Sequence, residues 1–218
     1  MPITTDINHF ARILKERLTK DLPGSDAQDI MAPSNRKELI ELSTGSENAR
    51  LSSILIILYP DNNGEVSIIF IKRVEYIGVH SGQIAFPGGK FESEDISLLH
   101  TALRETKEEI GLDIHENNVA GKLTNLYVPP SNYLISPYVA VIDQIPILRP
   151  DSYEVAEAFS APLSHFLSPE AMIVRSYRLA SGIEIPVPGF TFGNHFIWGA
   201  TAMIFSEFLQ VIRDINKN

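Results

Sequence analysis

The stretch RETKEEIGL, Arg104–Leu112, crowds three carboxylates into five residues of what reads as a helix. At about 100° per residue, Glu105, Glu108 and Glu109 fall within an arc of roughly 100° on one face. Like charges three or four residues apart cost about 0.2–0.5 kcal/mol per pair, so the repulsion needs an offset or a use. One reading is a solvated face on which Arg104 pairs with Glu108 and Lys107 adds positive charge. The other is a hard divalent cation, which takes oxygen ligands and turns repulsion into attraction toward a shared centre.

The neighbouring sequence organises itself around the same helix. Leu99, Leu103, Thr106 and Ile110 recur at helical spacing and predict a buried side roughly opposite the carboxylates. The helix is expected to begin near Asp95, a residue type that caps N-termini, and to end at Gly111, the type that most easily turns left-handed. Just upstream, in SGQIAFPGGK (Ser81–Lys90), Pro87, Gly88 and Gly89 allow a tight turn and a close backbone approach.

These residues resemble the Nudix box, a glycine and an acidic residue followed by Arg-Glu-aliphatic-x-Glu-Glu-x-Gly-aliphatic. The matching positions are Gly89, Asp95, Arg104, Glu105, Thr106, Glu108, Glu109, Gly111 and Leu112. Asp95 in place of glutamate, and one extra residue before Arg104, are similar to the branch that hydrolyses coenzyme A and its derivatives. So are Gly82, Phe86, Pro87, Gly88 and Gly89, which match that branch's Gly-x-x-x-Phe-Pro-Gly-Gly, and the strand IIFIKR with Arg73 in its arginine place. The branch expects a second arginine four residues before Gly82, where this chain has Gly78. The segments EVAEAFSAPLSHFL (Glu154–Leu167) and IWGATAMIF (Ile197–Phe205) look like its downstream strand and closing helix, so the resemblance covers residues 50–212.

The resemblance implies that Glu105, Glu108 and Glu109 bind Mg²⁺ or Mn²⁺ together with the carbonyl of Gly89, and that Arg104 orients the glutamates. Asp95 is either the partner of Arg104 or the helix cap. The general base is a box glutamate or one on a distant loop, and Glu154 and Glu157 are the distant candidates; taken separately, each reads first as a polar residue at a strand edge. Lys72, Arg73 and Lys90 are the nearest basic residues for substrate phosphates, with Arg73 and Lys90 placed at the substrate. The six histidines show no His-x-x-x-His spacing and read as structural. Trp198 and the phenylalanines near it read as core.

With 218 residues the chain can bury a proper core, and its formal net charge of -9 repels bare polyphosphate and nucleic acid unless a metal or local basic patch intervenes. The absence of cysteine excludes disulfides and thiolate chemistry. MPITTDINHF has no charged region followed by an apolar run, and ILIILY (54–59) is too short to span a bilayer, so the cytoplasm and no membrane partner are expected.

Residues 6–20 read as an amphipathic helix, and 21–49 as a polar linker with a short helix at RKELIEL. Strands are expected at 51–59, 66–73, 119–128, 134–143 and 153–160, and helices at 96–110, 162–168 and 198–214. The fold class is α/β. The resemblance implies a Nudix-like α/β/α sandwich with a mixed sheet, carried by residues 50–218 and preceded by an N-terminal helical extension (1–49).

The expected function is metal-dependent cleavage of the diphosphate of coenzyme A or a derivative. Other nucleoside diphosphate derivatives, such as ADP-ribose, NADH or a dinucleotide polyphosphate, are the alternative substrates. A non-catalytic ligand-sensing module is the alternative of another class. A small-molecule partner is expected rather than nucleic acid, and a homodimer is admitted.

Overall fold

A computed structural model describes residues 6–75, 82–178 and 182–217. Gly78 lies outside the described residues. The centre of the fold is β1 (Arg50–Pro60), whose aliphatic run sends Leu55, Ile57 and Tyr59 to one side and Ile56 and Leu58 to the other. β2 (Val66–Arg73) divides in the same way, with Ile69 and Ile71 against Ile68 and Phe70. Both faces are buried, which is why these strands read as unbroken apolar runs instead of alternating ones.

β2 runs antiparallel to β1, while β7 (Tyr133–Val141) runs parallel to β1 in register from Arg50↔Tyr133 to Leu58↔Val141. The remaining strands of this eight-stranded mixed sheet are β3 (Ile84–Ala85), β4 (Gly88–Lys90), β5 (Val119–Lys122), β6 (Leu126–Val128) and β8 (Val155–Pro162). The expected strand 119–128 is thus two short strands, both antiparallel to β7.

α4 (Leu98–Ile110) covers one face through Ala102 and Ile110. α1 (Ile7–Leu18), α5 (Leu163–Leu167) and α6 (Gly199–Lys217) cover the other through Leu14, Phe166 and Phe205, among others. The result is the α/β/α sandwich with a mixed sheet. No helix among the described residues is long and apolar enough to cross a membrane.

Three further features depart from the sequence-based expectation. A second, antiparallel sheet of β9 (Met172–Arg178), β10 (Glu184–Phe192) and β11 (His195–Trp198) stands where no strand was expected. Its middle strand carries Pro186 and Pro188, which lack a ladder donor and argue against a central strand, and β9 is almost wholly exposed, which removes the alternation. Residues 21–49 hold α2 (Gly24–Asp29) as well as the anticipated short helix, α3 (Arg36–Glu41). α2 is held from outside its own sequence: the buried Glu207 carboxylate of α6 accepts the Gly24 N–H (3.2 Å), the Gln28 side-chain N–H (2.8 Å) and the Thr124 N–H (3.2 Å).

The third departure concerns α4. Its N-cap is Ser97, whose hydroxyl accepts the His100 N–H at 3.1 Å, not Asp95. Its buried face is rotated toward the glutamates and includes Ala102, Glu105, Thr106, Glu109 and Ile110, while Leu99 and Leu103 are only half-buried. The cause is the Pro-Gly-Gly turn and β4, which pack over the carboxylate side of the helix.

Candidate active site

The turn that faces α4 is clipped to the start of β1, with Ser52 opposite Lys90, Ser53 opposite Gly89 and Ile54 opposite Gly88. Both glycines are required by space. A Cβ at Gly88, whose φ is +148°, would overlap the Ser53 carbonyl and the Ile54 backbone; a Cβ at Gly89 would overlap the Glu105 carboxylate. The helix therefore approaches the turn as closely as a backbone without side chains allows.

Arg104 ties the two together. Its Nε and Nη2 each donate to Asp95 at 2.9 Å in a bidentate pair, and Nη2 also donates to the Lys90 carbonyl at 3.2 Å. Nη1 donates to Glu105 (3.0 Å) and Glu108 (2.8 Å), so all five guanidinium donors are used. The Asp95 carboxylate also accepts the Glu92 N–H and the Thr101 hydroxyl. Hydrogen bonding to Arg104, opposed by burial, holds Asp95 well below the usual carboxylate range, and the same pairing raises Arg104. Of the two roles open to Asp95 in the sequence, the structure selects the partner of Arg104.

Glu109 is the innermost carboxylate. Its Oε2 accepts the Gly88 N–H at 2.8 Å; its Oε1 is buried without a hydrogen bond among the described residues, with Arg73 Nη1 at 3.6 Å. Burial raises its pKa to about 7 against the opposing pull of Arg73 and the Gly88 N–H, and burial likewise raises Glu105 against Arg104. One oxygen from each of Glu105, Glu109 and Glu154 lies within 4.8 Å of the others. Three converging carboxylates, one with an orphaned buried oxygen, form a donor set suited to a hard divalent cation.

Glu154 reaches this cluster because the loop before β8 is stitched to the end of α4. The Asp151 N–H donates to the Glu109 carbonyl (2.9 Å), and the Glu154 and Val155 N–H groups donate to the Asp151 carbonyl (3.1 and 2.8 Å). Glu157, three residues on and past a bulge opposite Lys72/Arg73, turns away and pairs with His195 at 3.5 Å. Glu108 is exposed and held by Arg104, outside the trio. Arg73, Gly89 and Lys90 line the same cleft of about 600 Å³, where Lys90 Nζ sits 3.4 Å from Glu92. Trp198 packs on Tyr177, with ring centroids 4.6 Å apart.

The NUDIX domain family model matches residues 49–176, more than half of the chain. The chain belongs to the Nudix family. It is 37% identical over 137 residues to the human mitochondrial coenzyme A diphosphatase NUDT8, a match that covers 62% of this chain and 58% of that protein. It is 36% identical over 152 residues to the uncharacterized Nudix hydrolase NudL of Yersinia pestis (strain Pestoides F), covering 68% of this chain and 73% of the relative. Among solved structures, a MutT/nudix family protein from Enterococcus faecalis superposes with a TM-score of 0.57 at 20% identity, over 77% of this chain and 63% of that one.

Two elements of this Nudix site had no signal in the local sequence. Arg50 and Tyr133 line the far end of the cleft, brought there by the parallel pairing of β1 with β7 across more than eighty positions. Only the topology places them beside the box.

Proposed function

We propose that this Nudix chain is a divalent-metal-dependent hydrolase that cleaves the diphosphate of coenzyme A or a derivative, giving adenosine 3′,5′-bisphosphate and 4′-phosphopantetheine or its acylated form. The observation that carries the reaction class is the convergence of Glu105, Glu109 and Glu154 beside Arg104 in an open cleft. The coenzyme A reading is supported by the Gly82 and Phe86–Gly89 signature and by the function in the human relative's name.

Glu105 and Glu109 would hold Mg²⁺ or Mn²⁺, with the backbone at Gly89 and the exposed Glu154 carboxylate beside them. Such an ion, when bound, polarises the diphosphate and lowers the pKa of a water. The chain's own contribution is positioning. Arg104 locks Glu105 and Glu108 in place, Asp95 fixes Arg104, and Arg73 at the rim of the trio offers positive charge to a phosphoryl oxygen. Glu154, the exposed member of the trio, is the one best placed to take a proton from an attacking water.

The test is a product assay. Purified chain with Mg²⁺ or Mn²⁺ is incubated with coenzyme A, acetyl coenzyme A, NADH, ADP-ribose and diadenosine polyphosphates, with EDTA controls, and products are identified by mass spectrometry. Metal-dependent release of adenosine 3′,5′-bisphosphate well above turnover of the others is the expected result. Preferential cleavage of another diphosphate would refute the substrate, and binding of metal without any turnover would refute the reaction.

A further inference from the structure

Among the described residues, four basic side chains line the cleft: Arg50, Arg73, Lys90 and Arg104. Three of them face carboxylates, Arg73 at Glu109, Lys90 at Glu92 and Arg104 at Asp95, Glu105 and Glu108. Arg50 differs. Its guanidinium carbon stands 4.2 Å from the centroid of the Tyr133 ring, and its Nη2 donates to the Ser131 carbonyl at 2.7 Å. No carboxylate among the described residues pairs with it. Stacking and one carbonyl thus fix the plane of the guanidinium while most of its five donors have no partner among the described residues.

A cation held in this way, unneutralised in a chain of net charge -9, is built to meet an anion from outside. Its position says which anion. Ser53, opposite Gly89, lies three residues along β1 from Arg50, which at 3.3 Å per residue is roughly 10 Å. The guanidinium is turned to the Tyr133 ring and the Ser131 carbonyl and not to the glutamates, and the backbone offset is comparable to the span of a nucleoside.

We propose that Arg50, oriented by Tyr133, is the specificity residue that receives a phosphate monoester carried on the nucleoside of the substrate, the 3′-phosphate if that substrate is coenzyme A. The identity of the phosphate rests on the coenzyme A reading above. Tyr133 is a positioning residue: it acts through Arg50 by holding the guanidinium flat. An arginine suits the task because its planar fork binds phosphate in two-point fashion, which lysine does not reproduce.

The experiment compares wild type with Arg50→Met, Arg50→Lys, Tyr133→Phe and Tyr133→Leu, each checked for an unchanged Tm. Two readouts are taken: kcat/KM for coenzyme A against dephospho-coenzyme A, and calorimetric binding of adenosine 3′,5′-bisphosphate against adenosine 5′-monophosphate in EDTA. In Arg50→Met the preference for the 3′-phosphorylated member should fall about 10- to 100-fold, mostly in KM. Arg50→Lys should keep part of it, Tyr133→Phe should keep all of it, and Tyr133→Leu should lose part. Equal losses for both members of each pair would overturn the proposal, as would a wild type that binds the two nucleotides alike. If wild type cleaves neither coenzyme, the coenzyme A reading falls, and the binding pair still decides the role of Arg50 by whether the preference exists and disappears in Arg50→Met.

Discussion

Glu109 Oε2 accepts the backbone N–H of Gly88 at 2.8 Å, so the innermost carboxylate of α4 is bonded to the turn that covers it. Fold and site are therefore one construction. The turn needs the helix to satisfy its amide, and the helix needs the turn to hold a buried carboxylate in place.

The two glycines of that turn should fail differently. Gly88→Ala introduces a Cβ against the Ser53 carbonyl at a φ of +148° and strains the backbone itself. It should cost on the order of 2–4 kcal/mol, read as a lower urea midpoint. At Gly89→Ala the nearest atoms to the new Cβ all belong to the Glu105 carboxylate. It should leave the midpoint nearly unchanged and lower Mn²⁺ affinity and turnover by about 10²-fold or more. Equal loss of stability in both would show that Gly89 serves the fold and not the carboxylate.

The metal-free protein should lose stability on the alkaline side. Glu109 has its pKa raised by burial to about 7, above the unfolded value of about 4.3. Between those values the folded chain holds a proton that the unfolded chain releases, so this contribution is full below the lower value and is lost as pH rises through the upper. Thermal melts in EDTA should therefore show Tm falling from pH 5 to pH 8. Glu109→Gln should flatten this slope, and added divalent metal, which favours the ionised form, should reverse it. A wild-type slope unchanged by Glu109→Gln would assign the effect to another group.

The legibility of this chain follows the range of the forces involved. The box helix, its Gly111 cap and the facing glycines are local, and their residue types and spacing, together with the resemblance to the Nudix box, exposed them. The parallel β1–β7 pairing and the convergence of Glu154 on Glu109 depend on contacts far apart in sequence. Glu154 and Glu157 looked equivalent in the sequence, and only the bonds of Asp151 to the end of α4 distinguish them. Asp95 misled as a helix start because the residue types that cap helices also serve as partners for arginine, and Ser97 two positions later takes the cap. The β9–β11 sheet stayed hidden because Pro186 and Pro188 occupy its middle strand.

Arg104 should prove more important to the fold than its exposure near a cleft suggests. Its bidentate partner Asp95 has a fully buried side chain, so Arg104→Met strands a buried carboxylate at a cost of about 3–5 kcal/mol. Asp95→Asn keeps the shape and should cost less. It should also remove part of the acid sensitivity: the depressed Asp95 pKa contributes stability present above the unfolded value of about 3.9 and lost as pH falls toward the folded one. Urea titrations of the three proteins at pH 7 and pH 3 check both statements. Equal midpoints for Arg104→Met and wild type would mean that Asp95 finds another partner.

The division of labour among the four remaining glutamates is the sharpest point on which the geometry commits. Glu105 and Glu154 stand with Glu109 in the trio, whereas Glu108 is exposed against Arg104 and Glu157 pairs with His195, stacked on Phe159 with ring centroids 4.0 Å apart. Glu105→Gln should therefore weaken Mn²⁺ binding and turnover together, and Glu108→Gln should do so less, through the loosened arginine. Glu154→Gln should lower kcat by about 10²–10⁴-fold at saturating metal, the range of a lost general base. If instead its defect is rescued by more metal, Glu154 is a ligand and not a base. Glu157→Gln should stay within a few-fold of wild type on the order expected of a surface substitution. A large kcat defect in Glu157→Gln beside a normal Glu154→Gln would mean that the loop before β8 moves on substrate binding and that the stitch at Asp151 opens during turnover.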